Sequence, residues 1–133
     1  MTYLLDTNSC IRYLNGRSPQ IKKHLEALKP DDVCLCAVVK AELAYGAARS
    51  HNPTRNLARI ATFEAPFVSL PFDDGCVTAY GRIRAAREQV GRPISPNDLM
   101  IAAIAVTHGL TLVTHNTREF ERVVGLSLAD WEE

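Results

Sequence analysis

Short apolar runs punctuate the chain, separated by longer stretches in which apolar residues recur every three or four positions. Thr2–Leu5 and Val33–Cys36 read as buried strands, Phe67–Leu70 and Thr111–Thr114 as two more, and Leu126–Leu128 as a last edge strand. The helical period predicts helices at Ser9–Leu14, Pro19 to about Leu28, Ala37–Arg49, Pro53–Phe63, Asp73–Val90, Asn97–His108 and Thr117–Val123. Local punctuation agrees. Asn15-Gly16 stops the first helix, and Ser18-Pro19 and Ser95-Pro96 each offer an N-cap followed by a proline suited to the first turn. Gly91 and Gly109 close the Asp73–Val90 and Asn97–His108 helices, and Lys29–Asp32 reads as a loop. Strands alternating with helices indicate a single α/β domain over residues 1–133, with a mostly parallel sheet of four to five strands covered on both faces.

Composition narrows the class without choosing a function. At 133 residues, 47% hydrophobic and 23% charged, the chain can bury a real core and is not of disordered type. Fifteen basic and fifteen acidic residues leave a net charge of zero, so any preference for a charged partner must come from local clustering. Cys34 and Cys36 stand two apart in a strand and share a face, which favours buried reduced thiols over a disulfide. The four histidines are scattered relative to the cysteines, which argues against zinc. No apolar stretch is long enough to cross a bilayer and no leader-like segment opens the chain, so the expected compartment is the cytoplasm.

Candidate chemistry sits at strand ends and helix starts. Asp6 follows the first strand, where open α/β sheets bind ligands, although an aspartate there also serves as a helix N-cap. Glu42 shares a helix face with Val38, Val39, Tyr45 and Gly46, so it should lie on an apolar stripe and need a metal, a basic partner or a polar cleft. Asp98 occupies the third helical position after Ser95, a capping position at the mouth of an almost wholly apolar helix. Asn116 and Glu119 follow the strand Thr111–Thr114 and are spaced to share one helix face. Acids gathered without His or Cys suit a hard cation, Mg²⁺ or Mn²⁺, which activates water and stabilises charge on a phosphodiester.

These residues carry a family resemblance. Leu5-Asp6-Thr7-Asn8, Glu42-Leu43-Ala44-Tyr45-Gly46 and Pro93-Ile94-Ser95-Pro96-Asn97-Asp98-Leu99-Met100-Ile101-Ala102-Ala103 appear in order, followed by Thr114-His115-Asn116-Thr117-Arg118-Glu119-Phe120 and Gly125 to Trp131. The ordered set resembles VapC-type toxins of the PIN-domain ribonuclease family across essentially the whole chain. The resemblance implies a three-layer α/β/α fold, metal-dependent endonuclease cleavage of a structured RNA such as tRNA, homodimerisation, and a VapB-type antitoxin that masks the site. Asp6, Glu42 and Asp98 fall on the family's acidic positions. The fourth, often Asp, is Asn116 here, which leaves Glu119 as a candidate fourth acid. In the implied roles Asp6 and Asp98 hold the metal directly or through water, and Glu42 is a ligand or orients the attacking water. Thr7 and Thr114 hydrogen-bond the carboxylates, and Asn8 positions water or substrate.

Two basic runs bear on the same reading. Arg82, Arg84, Arg87 and Arg92 face one acid, Glu88, and are candidates for phosphate contacts around the acidic pit. Arg49, His51, Arg55 and Arg59 form a second run. Apolar helices near residues 9–28 and 37–63 offer a groove for an amphipathic partner segment. Two other readings stay open: a PIN-like module that binds without cutting, and a phosphatase using Asp6 as nucleophile. The latter expects a second Asp where Asn8 stands.

Overall fold

A computed structural model describes Met1–Glu133 in full. β1 (Tyr3–Leu5) leads into α1 (Thr7–Leu14) and α2 (Pro19–Ala27), then β2 (Val33–Cys36), α3 (Ala37–Ala48) and α4 (Pro53–Glu64). β3 (Val68–Leu70) is followed by α5 (Val77–Gln89), α6 (Pro96–His108), β4 (Thr111–Val113), α7 (Thr117–Phe120) and β5 (Ser127–Ala129). The five strands form one sheet in the order β3-β2-β1-β4-β5, and every pairing is parallel. Helices flank it as the outer layers of an α/β/α domain; α1 packs against α2, α3 and α4, and α6 against α5 and α3.

The strand order explains the apolar runs. β1, β2 and β4 are interior strands, so both faces need apolar cover and alternation disappears. Leu4, Leu5, Leu112, Val113 and all of Val33–Cys36 are buried. So is most of α6, where Ala102, Ala103 and Ala105 let the helix lie close against its neighbours beside Ile101 and Ile104. Gly109 ends α6 with φ +65°, a left-handed conformation that costs glycine little. All four cysteines are free and buried, as expected, and burial pushes the Cys34 thiol up to about 11.

Several boundaries differ from expectation. α1 begins at Thr7 rather than Ser9, because Asp6 caps it. The predicted loop at Lys29–Asp32 closes as a 3-10 turn over Pro30–Asp32. The predicted helix from Asp73 opens instead with a 3-10 turn, Asp74–Cys76, in which the Asp73 side chain accepts from the Gly75 N–H at 3.1 Å. α7 stops at Phe120, because Phe120 and Val123 turn inward to the core while Gly125 (φ +87°) redirects the chain into β5. The sheet is wholly rather than mostly parallel, since Ser127–Ala129 adds beside β4 in the same direction.

Candidate active site

The chain runs outward from β1 through β2 to β3, then returns by α5 and α6 to β4 on the other side of β1. The switch point between β1 and β4 opens a crevice at their carboxyl ends. Asp6 stands there. Its backbone N–H donates to the Val113 carbonyl at 3.1 Å, fastening it to β4, and its Oδ1 accepts from the Ser9 N–H at 2.8 Å. Capping and site placement are therefore the same geometry, because a carboxylate has two oxygens. Burial raises the Asp6 carboxyl above its usual value, while hydrogen bonds from Ser9 and Thr114 work the other way.

Glu42 comes from α3, and the Thr7 Oγ1 donates to its Oε1 at 2.8 Å. The expected apolar stripe is only half present. Val38 and Val39 are buried, but Tyr45 is 65% exposed, so Glu42 lies where the stripe opens to solvent. Its compensation is a hydroxyl and an open cleft rather than a basic partner.

Asp98 enters from the first turn of α6, with its N–H donating to the Ser95 Oγ at 3.4 Å. Its carboxyl is pushed up to about 6, first by burial, then by the negative charge of Glu119, with a smaller push from Glu42. Asn116 follows β4; its N–H donates to the Thr114 Oγ1 at 3.0 Å, and its side-chain amide donates to Glu119. The amide oxygen of Asn116 is left to accept from a water or a substrate group.

Asp6, Thr7, Asn8, Glu42, Asp98 and Asn116 all line one cavity of about 490 Å³, bounded by the Ser95–Asn97 turn and Phe120. Thr114 is fully buried beneath Asp6, and Glu119 touches the site through Asp98 and Asn116. Residues from both ends of the chain thus meet in one place.

The basic residues arrange themselves differently from expectation. Neither arginine run lines this cavity. Arg82, Arg84 and Arg92 are exposed, but Arg87 is buried, not on a solvated face, because its position on α5 turns toward the helix's packed side with Ile83. In the second run Arg49 stacks over Tyr45 at 5.2 Å, and Arg59 bonds the Leu14 carbonyl.

A neighbouring cavity of about 620 Å³ shares Asp6, Asn8 and Asn116 and adds Arg12, Gln20, His115 and Glu132. Arg12 pairs with Glu132, and His115 Nδ1 lies 2.9 Å from Asp130 Oδ2. Sequence reasoning missed this lobe. Two signals were present: His115 adjoins Asn116, and Arg12 lies one helical turn beyond Asn8. Nothing local marks Gln20 or Glu132.

Asp6, Glu42 and Asp98 offer oxygen donors only, and their raised or like-charged carboxyls lack a basic counterpart, which is the donor set of a hard cation. No three of these side chains stand together as ready-made direct ligands, so an ion held here would be reached at least partly through water.

An all-parallel five-stranded sheet with acids converging at its switch point defines a class, and residues 3–126 match the PIN domain. The tRNA(fMet)-specific endonuclease VapC of Shigella flexneri is 41% identical over 131 residues, covering 98% of each chain. Among solved structures, DNA-bound VapBC from Salmonella typhimurium superposes with a TM-score of 0.92 at 36% identity over 98% of each chain. VapBC2 from Rickettsia felis, bound to a DNA fragment from its promoter, gives 0.91 at 33% identity over 98% of this chain and 99% of that one. The chain belongs to the PIN-domain family, in its VapC-type branch.

Proposed function

We propose that the protein is the ribonuclease toxin of a toxin–antitoxin pair, a divalent-metal-dependent endonuclease that hydrolyses phosphodiester bonds in a structured RNA such as tRNA. One observation carries the reading: Asp6, Glu42 and Asp98, from three separate elements, line a single open cavity. The names of the relatives support it, VapC endonuclease and ribonuclease.

Asp6 and Asp98 would hold Mg²⁺, or Mn²⁺, directly or through water, with Glu42 as a further ligand or as the group that orients the attacking water. A bound ion supplies activation of water and stabilisation of the charge that builds on the phosphate. Thr7 holds the Glu42 carboxylate in place by its 2.8 Å hydrogen bond. The Asn116 amide oxygen and Asn8 position water or substrate at the cavity wall, and Glu119 governs the charge of Asp98.

The reading includes a VapB-type antitoxin. An apolar groove of about 530 Å³ runs between α1, α2 and α4, lined by Tyr13, Leu14, Leu25, Leu28, Phe63 and Phe67. A smaller one of about 250 Å³ continues from Leu14 and Arg59 to Glu42. An amphipathic segment laid in the first would direct its end toward the acids. Solved neighbours crystallised as VapBC complexes support that partner. Homodimerisation rests on the family resemblance and is checked by light scattering. No helix is long and apolar enough to cross a membrane.

The test is cleavage of a purified tRNA pool by the purified protein. We expect discrete fragments with Mg²⁺ or Mn²⁺, none with EDTA, and none from a folded Asp98→Asn variant. Undiminished cleavage by that variant, or in EDTA, overturns the reading.

A further inference from the structure

We propose that Arg87 and the first turn of α6 form a built pocket for one phosphate of the RNA backbone, beside the acid cavity. This deepens the ribonuclease reading and rests on it.

Arg87 is 5% exposed, and its Nε is buried without a hydrogen-bond partner. No carboxylate lies within ion-pair distance of it. An unpaired buried charge is costly, so a guanidinium held this way calls for a counter-charge that arrives from outside. It does not lie in a closed core. It lines a pocket of about 190 Å³ together with Arg84, Glu88, Ile94, Pro96 and Leu99.

The local charge favours an anion. Arg84 Nε is 3.0 Å from Glu88 Oε2, so those two charges offset each other and the Arg87 charge remains. The thirteen-residue α6 begins at this wall with Pro96, and Leu99 of the same turn lines it too, so the positive end of the helix dipole faces the pocket, although the Asp98 and Leu99 N–H groups are already bonded to Ser95. The Asp98 carboxyl lines the acid cavity rather than this pocket, so it does not fill the place of the anion. Pro96 lines both spaces. A nucleic-acid strand with one phosphate among the acids would pass over that turn and bring a neighbouring phosphate to Arg87. A guanidinium fork already immobilised by packing loses little freedom on binding, unlike the exposed Arg82 and Arg92.

Two probes test this. Inorganic phosphate is titrated into the full-length protein while the Arg87 Nε–H signal is followed by NMR, assigned by its loss in Arg87→Met. A fluorescein-labelled single-stranded RNA of mixed sequence is then titrated in EDTA, so that binding is read without cleavage, at several salt concentrations. Expected are a saturable shift of the Arg87 signal with phosphate, RNA binding about fivefold to tenfold weaker in Arg87→Met, and a log–log salt slope shallower by about 0.7. Arg87→Lys should recover part of the loss by restoring the charge. An Arg87 signal indifferent to phosphate, or unchanged RNA affinity and slope in a folded Arg87→Met, overturns the proposal. So does a changed monomer–dimer balance with intact RNA affinity, which would assign the counter-charge to a second copy of the chain. If Arg87→Met fails to fold, Arg87→Lys supplies the signal assignment and the phosphate titration on the native protein decides. That titration does not depend on cleavage, so failure of the subsite and failure of the ribonuclease reading are read separately.

Discussion

Glu119 lies close enough to Asp98 for its negative charge, together with burial, to hold the Asp98 carboxyl at about 6, well above its usual 3.8. Burial and a nearby like charge both disfavour the ionised form of Asp98. The folded state therefore binds more protons than the unfolded state between about pH 4 and 6, and stability falls as pH rises through that window. In EDTA, Tm should drop from pH 4.5 to pH 7, and Asp98→Asn should flatten the drop. On the proposed metal-dependent reading Mg²⁺ would relieve the same repulsion, so the rise in Tm on adding Mg²⁺ should be larger at pH 7.5 than at pH 5. A rise that is equal at both pH values would contradict this account.

Asp6 has two duties that mutation can separate. Asparagine caps a helix about as well as aspartate, whereas alanine does not. Asp6→Asn should keep stability within a few tenths of a kcal/mol yet reduce RNA cleavage by at least about a hundredfold, since it removes a charge that would bind the proposed metal. Asp6→Ala should lose cleavage equally and, in addition, about 1 kcal/mol of stability through the lost Ser9 N–H bond. Denaturant melts beside cleavage assays check both halves; equal stability in the two variants would remove the capping argument.

In the proposed mechanism Thr7 acts through Glu42, to which it donates a hydrogen bond. Thr7→Val keeps the shape but deletes the 2.8 Å hydrogen bond, and should lower kcat about tenfold or more while Tm changes little. Thr7→Ser retains the hydroxyl and should restore most of the rate. If valine were as active as the native residue, Glu42 would need no such support.

By the family resemblance, Asn116 stands at an expected fourth acidic position. Asn116→Asp would add a carboxylate to a cavity that already holds Asp6, Glu42 and Asp98. Tighter Mn²⁺ binding in calorimetry is expected, with a rise in stoichiometry if the native site holds one ion. The apo protein should lose stability above pH 6 from the added repulsion. Unchanged Mn²⁺ affinity would show that position 116 lies outside the ion's reach.

Much of the fold was legible because local chemistry and tertiary packing agree. The proline and serine signals at Ser18-Pro19 and Ser95-Pro96 mark real helix starts, and the unbroken apolar runs mark interior parallel strands. The misplaced edges have local causes visible only in three dimensions. Asp6 was readable as strand end or cap, yet only the fold shows that one carboxylate serves both. The exposure of Tyr45 beside Glu42 was hidden because helical spacing says which residues share a face, not how far the neighbouring helices cover it.

The sequence by itself determined most of the elements, the α/β class and the candidate acids, because strand and helix periods and capping chemistry act over a few residues. Tertiary structure decided what meets what. The order β3-β2-β1-β4-β5 is not written in any local pattern, and it alone brings Asp6, Glu42, Asp98 and Asn116 around one cavity. It likewise turned Arg87 inward from a basic run read as candidate phosphate contacts, and placed His115 and Arg12 beside the acids. Contacts between residues a hundred positions apart depend on how packed layers register, and that is a property of the whole chain at once.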